Sequence, residues 1–116
     1  MEAYKLKIFQ VVGSEIAVSS EDGNTVFDKI NSSIEHGKSV ILDFENIRII
    51  TTAFLNSAIG QLYSKYSSNE LSAKLQLENI AASDKLLLKT VTTRAKEYFE
   101  NKEQLDPLIK DSLGDE

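Results

Sequence analysis

The stretch Lys38–Tyr66, KSVILDFENIRIITTAFLNSAIGQLYSKY, decides the fold. Val40, Ile41 and Leu42 form a continuous apolar run that ends at Asp43 and Phe44. Such a run suits a strand covered on both faces. After Ile47 and the Ile49-Ile50 pair come Thr51 and Thr52, followed by apolar residues at Phe54, Leu55, Ala58, Ile59, Leu62, Tyr63 and Tyr66. That spacing is one stripe of an α-helix and predicts a helix from about Thr52 to Tyr66. A strand feeding a helix that opens on two threonines places backbone N–H groups and two hydroxyls at one exposed edge. A working site is expected there first.

Working outward, Tyr4, Leu6 and Ile8 alternate with Lys5 and Lys7, the pattern of a half-buried strand. Gly13-Ser14 and the run Glu15–Val18 predict a second strand returning as a hairpin. Ser19 and Ser20 before Glu21 and Asp22 mark a helix start, Val26, Phe27, Ile30 and Ile34 share its inner face, and Gly37 ends it. Downstream, Ser67–Glu70 reads as a polar connector and Ala73, Leu75 and Leu77 as alternate positions of a strand. Ser83 is the expected cap of a third helix whose inner stripe is Leu87, Leu88, Val91, Ala95, Tyr98 and Phe99. Residues 1–101 then form one domain, and residues 102–116 an acidic tail in which Asp106-Pro107 opens a short docking helix or the segment stays loose. The expected fold class is α/β: a mixed, mostly parallel four-stranded sheet with an N-terminal β-hairpin and helices packed on it.

Composition narrows the function classes. At 116 residues and 41% hydrophobic content, the chain builds one core. It has no cysteine, which excludes disulfides and thiolate metal sites and favours a reducing compartment. No apolar run approaches the roughly 18 residues that span a bilayer, and MEAYKLKIFQ is not a signal-peptide core. A cytoplasmic protein without a membrane partner is expected. The net charge of −5, with no cluster of Lys or Arg, argues against nucleic-acid binding.

Some residues carry chemistry in isolation. His36 is the sole histidine, follows Glu35 at the end of the first helix, and has no companions for a metal site. No metal, no cofactor and no catalytic residues are expected, because no phosphate loop or nucleophile-base pair can be assembled. Asp43 interrupts an apolar run at the carboxyl end of a strand, where open α/β sheets hold their ligands. It serves either a binding role or the N–H groups of the next loop. Thr51 and Thr52 offer one hydroxyl more than a helix cap requires, and a phosphate at a helix N-terminus meets free N–H groups and a favourable dipole.

The order of elements, and the segment VILDFENIRIITTAFLNSAIGQL above all, resembles the STAS-like family of small bacterial proteins related to anti-sigma factor antagonists. The likeness runs from about Tyr4 to Phe99, and its specific part is the strand ending LDF, the spacer NIRII and the helix opening TTAFL. In STAS domains of the antagonist type this place carries an Asp-Ser pair followed by a small residue and Gly. There the Ser is phosphorylated by a GHKL-type ATPase kinase, which releases a partner. Aligned on Leu42-Asp43, the Asp falls on Thr51, the Ser on Thr52 and the Gly on Phe54. The resemblance thus implies Thr52 as the phosphorylation position, with Thr51 as its neighbour and cap.

Two functions from different classes follow. One is a non-catalytic interaction module in partner-switching signal transduction that binds a GHKL-type ATPase or a regulator. Its binding side would be the polar face of the second helix at Asn56, Ser57, Gly60 and Gln61, with Asp43 nearby. The other is a small-ligand sensor that holds an anion or nucleotide at the same helix N-terminus. An enzyme ranks behind both, since no base, nucleophile and oxyanion donor occur together.

Overall fold

β3 (Ser39–Asp43) is the middle strand of a sheet that also contains β1 (Ala3–Lys7) and β5 (Leu75–Glu78), in the order β1-β3-β5. Both pairings are parallel, with Leu6 opposite Leu42 and Leu42 opposite Leu77. The computed structural model describes the backbone of residues 3–113 and the side chains of residues 3–100. Leu6, Val40 and Leu42 are buried, whereas Ile41, between them, is half-buried and its register neighbours Lys5 and Gln76 are exposed. The sheet therefore covers one face fully and the other in part, and the continuous apolar run does not mark a strand closed on both sides.

The N-terminal hairpin is replaced by a different arrangement. Ile8 does not extend β1 but begins a one-turn helix, α1 (Ile8–Val12), which ends at Gly13 with a left-handed φ of 76°. This helix moves the chain away from the first sheet. β2 (Ile16–Ala17) then pairs in parallel with β4 (Ile49–Ile50), Ile16 opposite Ile49 and Ala17 opposite Ile50. The four-stranded mixed sheet is thus a three-stranded sheet and a two-stranded ribbon, with all pairings among the described residues parallel.

α2 (Ser20–Glu35) starts where its caps place it: the Ser19 hydroxyl accepts from the Asp22 N–H at 3.0 Å, and Glu21 and Asp22 lie in the first turn. Gly37, at φ 79°, turns the chain out of the helix. Val26, Ile30 and Ile34 bury the inner face. α2 packs most closely on α3 (Thr52–Ala58), and Gly23 is the reason. A Cβ there would lie 2.6 Å from the Phe54 carbonyl oxygen and 2.6 Å from Ser57 Cβ, so only glycine lets the helices approach this far.

The helix expected from Thr52 to Tyr66 divides. α3 stops at Ala58, and Gly60–Ser64 continues as a 3-10 segment. Ser67–Glu70 is no connector but the start of α4 (Ser68–Lys74). There the Ser67 hydroxyl accepts from the Glu70 N–H while the Glu70 carboxylate accepts from the Ser67 N–H, a reciprocal cap. Ala73 accordingly belongs to this helix, and β5 begins at Leu75. α5 (Ala82–Leu113) begins one residue before Ser83, which lies inside its first turn instead of capping it. Leu88, Val91 and Ala95 are buried where α5 crosses α3 and the 3-10 segment. The helix is continuous past Asp106-Pro107; whether residues 102–116 dock on the body lies outside the described side chains. No described helix is long and apolar enough to cross a membrane.

Candidate functional site

α3 begins on Thr51, which is half-buried and occupied on both sides. Its hydroxyl donates to the Val18 carbonyl at 2.7 Å and accepts from the Phe54 N–H at 3.3 Å, and its own N–H donates to the Ala17 carbonyl at 3.3 Å. Thr51 is therefore the N-cap and also the tie between the helix and the β2–β4 ribbon. Thr52, the first helical residue, is exposed. With the Phe54 N–H held by the Thr51 hydroxyl and the Leu55 N–H by the Thr51 carbonyl, only the first N–H groups of this seven-residue helix face outward.

The ribbon beside Thr52 is apolar on both faces. Ala17 and Ile50 point into the core, whereas Ile16 and Ile49 are 46% and 52% exposed and stand opposite each other in register. Val18, whose carbonyl Thr51 holds, is also exposed. At the outer end, Arg48 and Glu15 pair at 3.6 Å and the Arg48 N–H donates to the Glu15 carbonyl. Along α3, Ala53 and Asn56 are exposed, and Asn56 lies one turn beyond Thr52 on the same face. Thr52 and Asn56 are thus exposed on α3, and Ile16, Val18 and Ile49 on the ribbon that Thr51 ties to it. Sequence reasoning missed the ribbon's part in the site. In the sequence Ile49 reads as part of the spacer and Ile16 as one member of a short alternating strand, and the parallel pairing is what sets them side by side and exposed.

The remaining sequence-predicted positions do not gather with Thr52. Gly60 is buried: a Cβ there would meet Val91 and Ala95 of α5 at 3.7 and 3.8 Å, so this glycine faces a helix and not solvent. Ser57 faces Gly23 of α2. The Gln61 amide donates to Asn24 Oδ1 at 2.6 Å and to the Ser57 carbonyl at 2.9 Å, which bridges the 3-10 segment to α2. Only Asn56 of that group lies on the exposed side.

Asp43 is 1% exposed at the end of β3 and fully engaged. Oδ1 accepts from the Glu45 N–H and from Asn79 Nδ2, each at 2.9 Å, and Lys5 Nζ lies 3.6 Å from Oδ2. Burial alone would raise its pKa, but the bonds from Asn79 and Glu45, joined by the Lys5 charge, hold it below the ordinary carboxylate value. Asn46 and Asn79 on the flanking turns have φ of 67° and 57°, a conformation asparagine tolerates better than most residues. The carboxylate thus fastens the loops after β3 and β5. His36 sits exposed at the C-cap of α2, its ring Nδ1 2.6 Å from the Ser32 carbonyl.

A concavity of about 260 Å³ lies elsewhere, between the 3-10 segment and α5, with Tyr63, Tyr66, Lys96 and Phe99 among its walls. Its walls include none of the candidate site residues, though Tyr63, Tyr66 and Phe99 belong to the apolar stripes of the expected helices.

A family model described as "STAS-like domain of unknown function (DUF4325)" matches residues 22–85, more than half of the chain. The chain belongs to this family. The match runs from the first turn of α2 to the first turn of α5, narrower at both ends than the likeness read from the sequence. Within the STAS-like domain it takes in Asp43, the ribbon strand β4, Thr51, Thr52 and all of α3. The ribbon's other strand, β2, lies before it. No curated protein and no solved structure matched the chain.

Proposed function

We propose that this STAS-like domain is a non-catalytic, cytoplasmic interaction module that binds a GHKL-type ATPase or a related regulator, as anti-sigma factor antagonists do. The observation that carries the reading is the exposure of Ile16, Val18 and Ile49 on the ribbon that Thr51 ties to α3, at whose start Thr52 is exposed. Aliphatic side chains held outward on a paired backbone lose little entropy when covered, and an apolar centre with a polar rim is the anatomy of protein interfaces. In this reading Thr52 stands at the rim of that centre, and Asn56 extends it along α3. Ser57 and Gln61 pack against α2, Gly60 against α5, and Asp43 fastens the end of the three-stranded sheet, so these four do not form the surface.

Phosphorylation of Thr52 is the switch in this reading. A phosphate brings about −1.5 to −2 charges to the start of α3, where the dipole tolerates them, so the fold survives. The partner, packed against Ile49 and Val18, must then desolvate that charge, and affinity falls by about 1–3 kcal/mol. The geometry favours this over an anion or nucleotide sensor at the same place, because the α3 terminus is short and partly capped by Thr51.

Two measurements test it. After incubation with ATP and the cognate ATPase, intact mass should show one phosphate on the wild-type and Thr51→Ala proteins and none on Thr52→Ala. A phosphate that persists in Thr52→Ala, or its absence from every sample, ends the phosphoswitch reading. Separately, Ile49→Asp should abolish capture of the ATPase with an unchanged melting curve; normal capture would mean the surface is misplaced.

A further inference from the structure

The outer side of β5 and the first turns of α5 enclose an apolar groove away from the Thr52 surface. Two adjoining depressions, of about 140 and 330 Å³, share Leu77, Leu88 and Thr92 as walls. Leu75 lines the first and Ile80 the second. β5 pairs with β3 alone among the described strands, so its other edge has no strand partner, and Leu77 is 38% exposed. Lys85 and Lys89, one helical turn apart and both exposed, stand along the second depression. The groove therefore combines an apolar floor with a cationic rim, in a chain whose net charge is −5.

The complement of that groove is written in the same sequence. From Lys102 to Glu116 the chain carries Glu103, Asp106, Asp111, Asp115 and Glu116 against only Lys102 and Lys110. Interleaved with these are Leu105, Leu108, Ile109 and Leu113, a helical apolar spacing. An acidic, amphipathic segment of this kind matches an apolar groove with a lysine rim in both charge and hydrophobicity. It cannot reach the groove of its own chain. α5 is one helix from Ala82 to Leu113, and at roughly 1.5 Å per residue Asp106 lies about 25 Å along the axis from Lys89.

We propose that the groove receives the C-terminal segment of a second copy, residues 102–113, and that two copies exchange these segments reciprocally. Such an exchange is isologous and closes at a dimer. Lys85 and Lys89 of one copy face the acids at 106 and 111 of the other, over the floor of Leu77 and Ile80.

Charge reversal on each side decides it. The full-length wild-type chain should be a dimer by light scattering at high micromolar concentration. Lys85→Glu/Lys89→Glu places acids against an acidic segment, and Asp106→Lys/Asp111→Lys places lysines against lysines, so each variant alone should dimerise roughly tenfold or more weakly. Mixed, the two variants match at both contacts and should form a heterodimer. A synthetic peptide of residues 100–116 should dissociate the wild-type dimer. Unchanged melting of Lys85→Glu/Lys89→Glu verifies that the fold is intact. A monomeric wild type, variants that stay dimeric alone, or a mixture that stays monomeric would each overturn the proposal, the first assigning the groove to a different protein.

Discussion

Leu42 in β3 and Ile49 in β4 both sit in parallel strand pairings, yet Leu42 is fully buried and Ile49 is half in water. The three-stranded sheet holds its shape by burying Leu6, Val40 and Leu42 under helices, and its pairings extend over four and five residues. The ribbon has two residue pairs, only Ala17 and Ile50 face inward, and Thr51 anchors it to α3. A pairing that short is not self-supporting, so its position is set by the inward pair and the threonine. The outward pair is then dispensable for folding. Where burial and side-chain identity are separated in this way, a surface can change its partner without changing its fold.

The largest expected effect tests the first half of that contrast. Leu42→Ala should cost about 2–5 kcal/mol in chemical denaturation, as a deep cavity does. If Ile49→Asp costs as much, the ribbon is not a free surface and the contrast fails. Next comes Asp43→Ala, which strands the Asn79 amide and the Glu45 N–H at the sheet's end and should cost about 1–3 kcal/mol. Because the folded pKa of Asp43 is depressed, its stabilisation is complete above the ordinary carboxylate pKa of about 3.9 and is lost as pH falls through the folded value. Urea midpoints across the acid range should therefore fall less steeply in Asp43→Asn than in wild type. An unchanged slope would show that this carboxylate contributes nothing to acid sensitivity.

Thr51→Val keeps the shape but removes both hydroxyl bonds, and about 1 kcal/mol should be lost. This sharpens the contrast, since it loosens the ribbon without touching its exterior. Smallest of all, Thr52→Ala and Ile49→Asp should shift stability by less than about 0.5 kcal/mol. Circular-dichroism melts of both variants would show it.

What the sequence discloses follows from how local each signal is. Ser19, Asp22 and Gly37 mark both ends of α2 because caps and left-handed turns act within a few residues. The Ser67 and Glu70 pair carries the same kind of signal for α4, and reading Ser67–Glu70 only as polar hid it. The ribbon is different: a two-residue parallel pairing between positions 33 apart in the chain, counted from Ile16 to Ile49, has no local pattern to betray it. The α3 period puts Gly60 on the outer side with Asn56, but α5 crosses that side and Val91 and Ala95 cover the glycine, a packing of distant elements that no local pattern discloses. Thr51 as the cap was legible for the same local reason as Ser19, whereas its bond to Val18 was not.

Gly23 bears on how such a domain could be engineered. Propensity scales favour alanine over glycine inside a helix by roughly 1 kcal/mol, so a stabilisation scheme guided by sequence would choose this position early. Here the added methyl would strike a backbone carbonyl, which cannot rotate away as a side-chain end can. Overpacking of that kind costs about 1–3 kcal/mol and reverses the sign of the substitution. The glycine records a spacing between two helices, and α3 carries Thr52 at its start. An improvement scored on α2 alone would thus be delivered as a displacement of the surface that α3 presents.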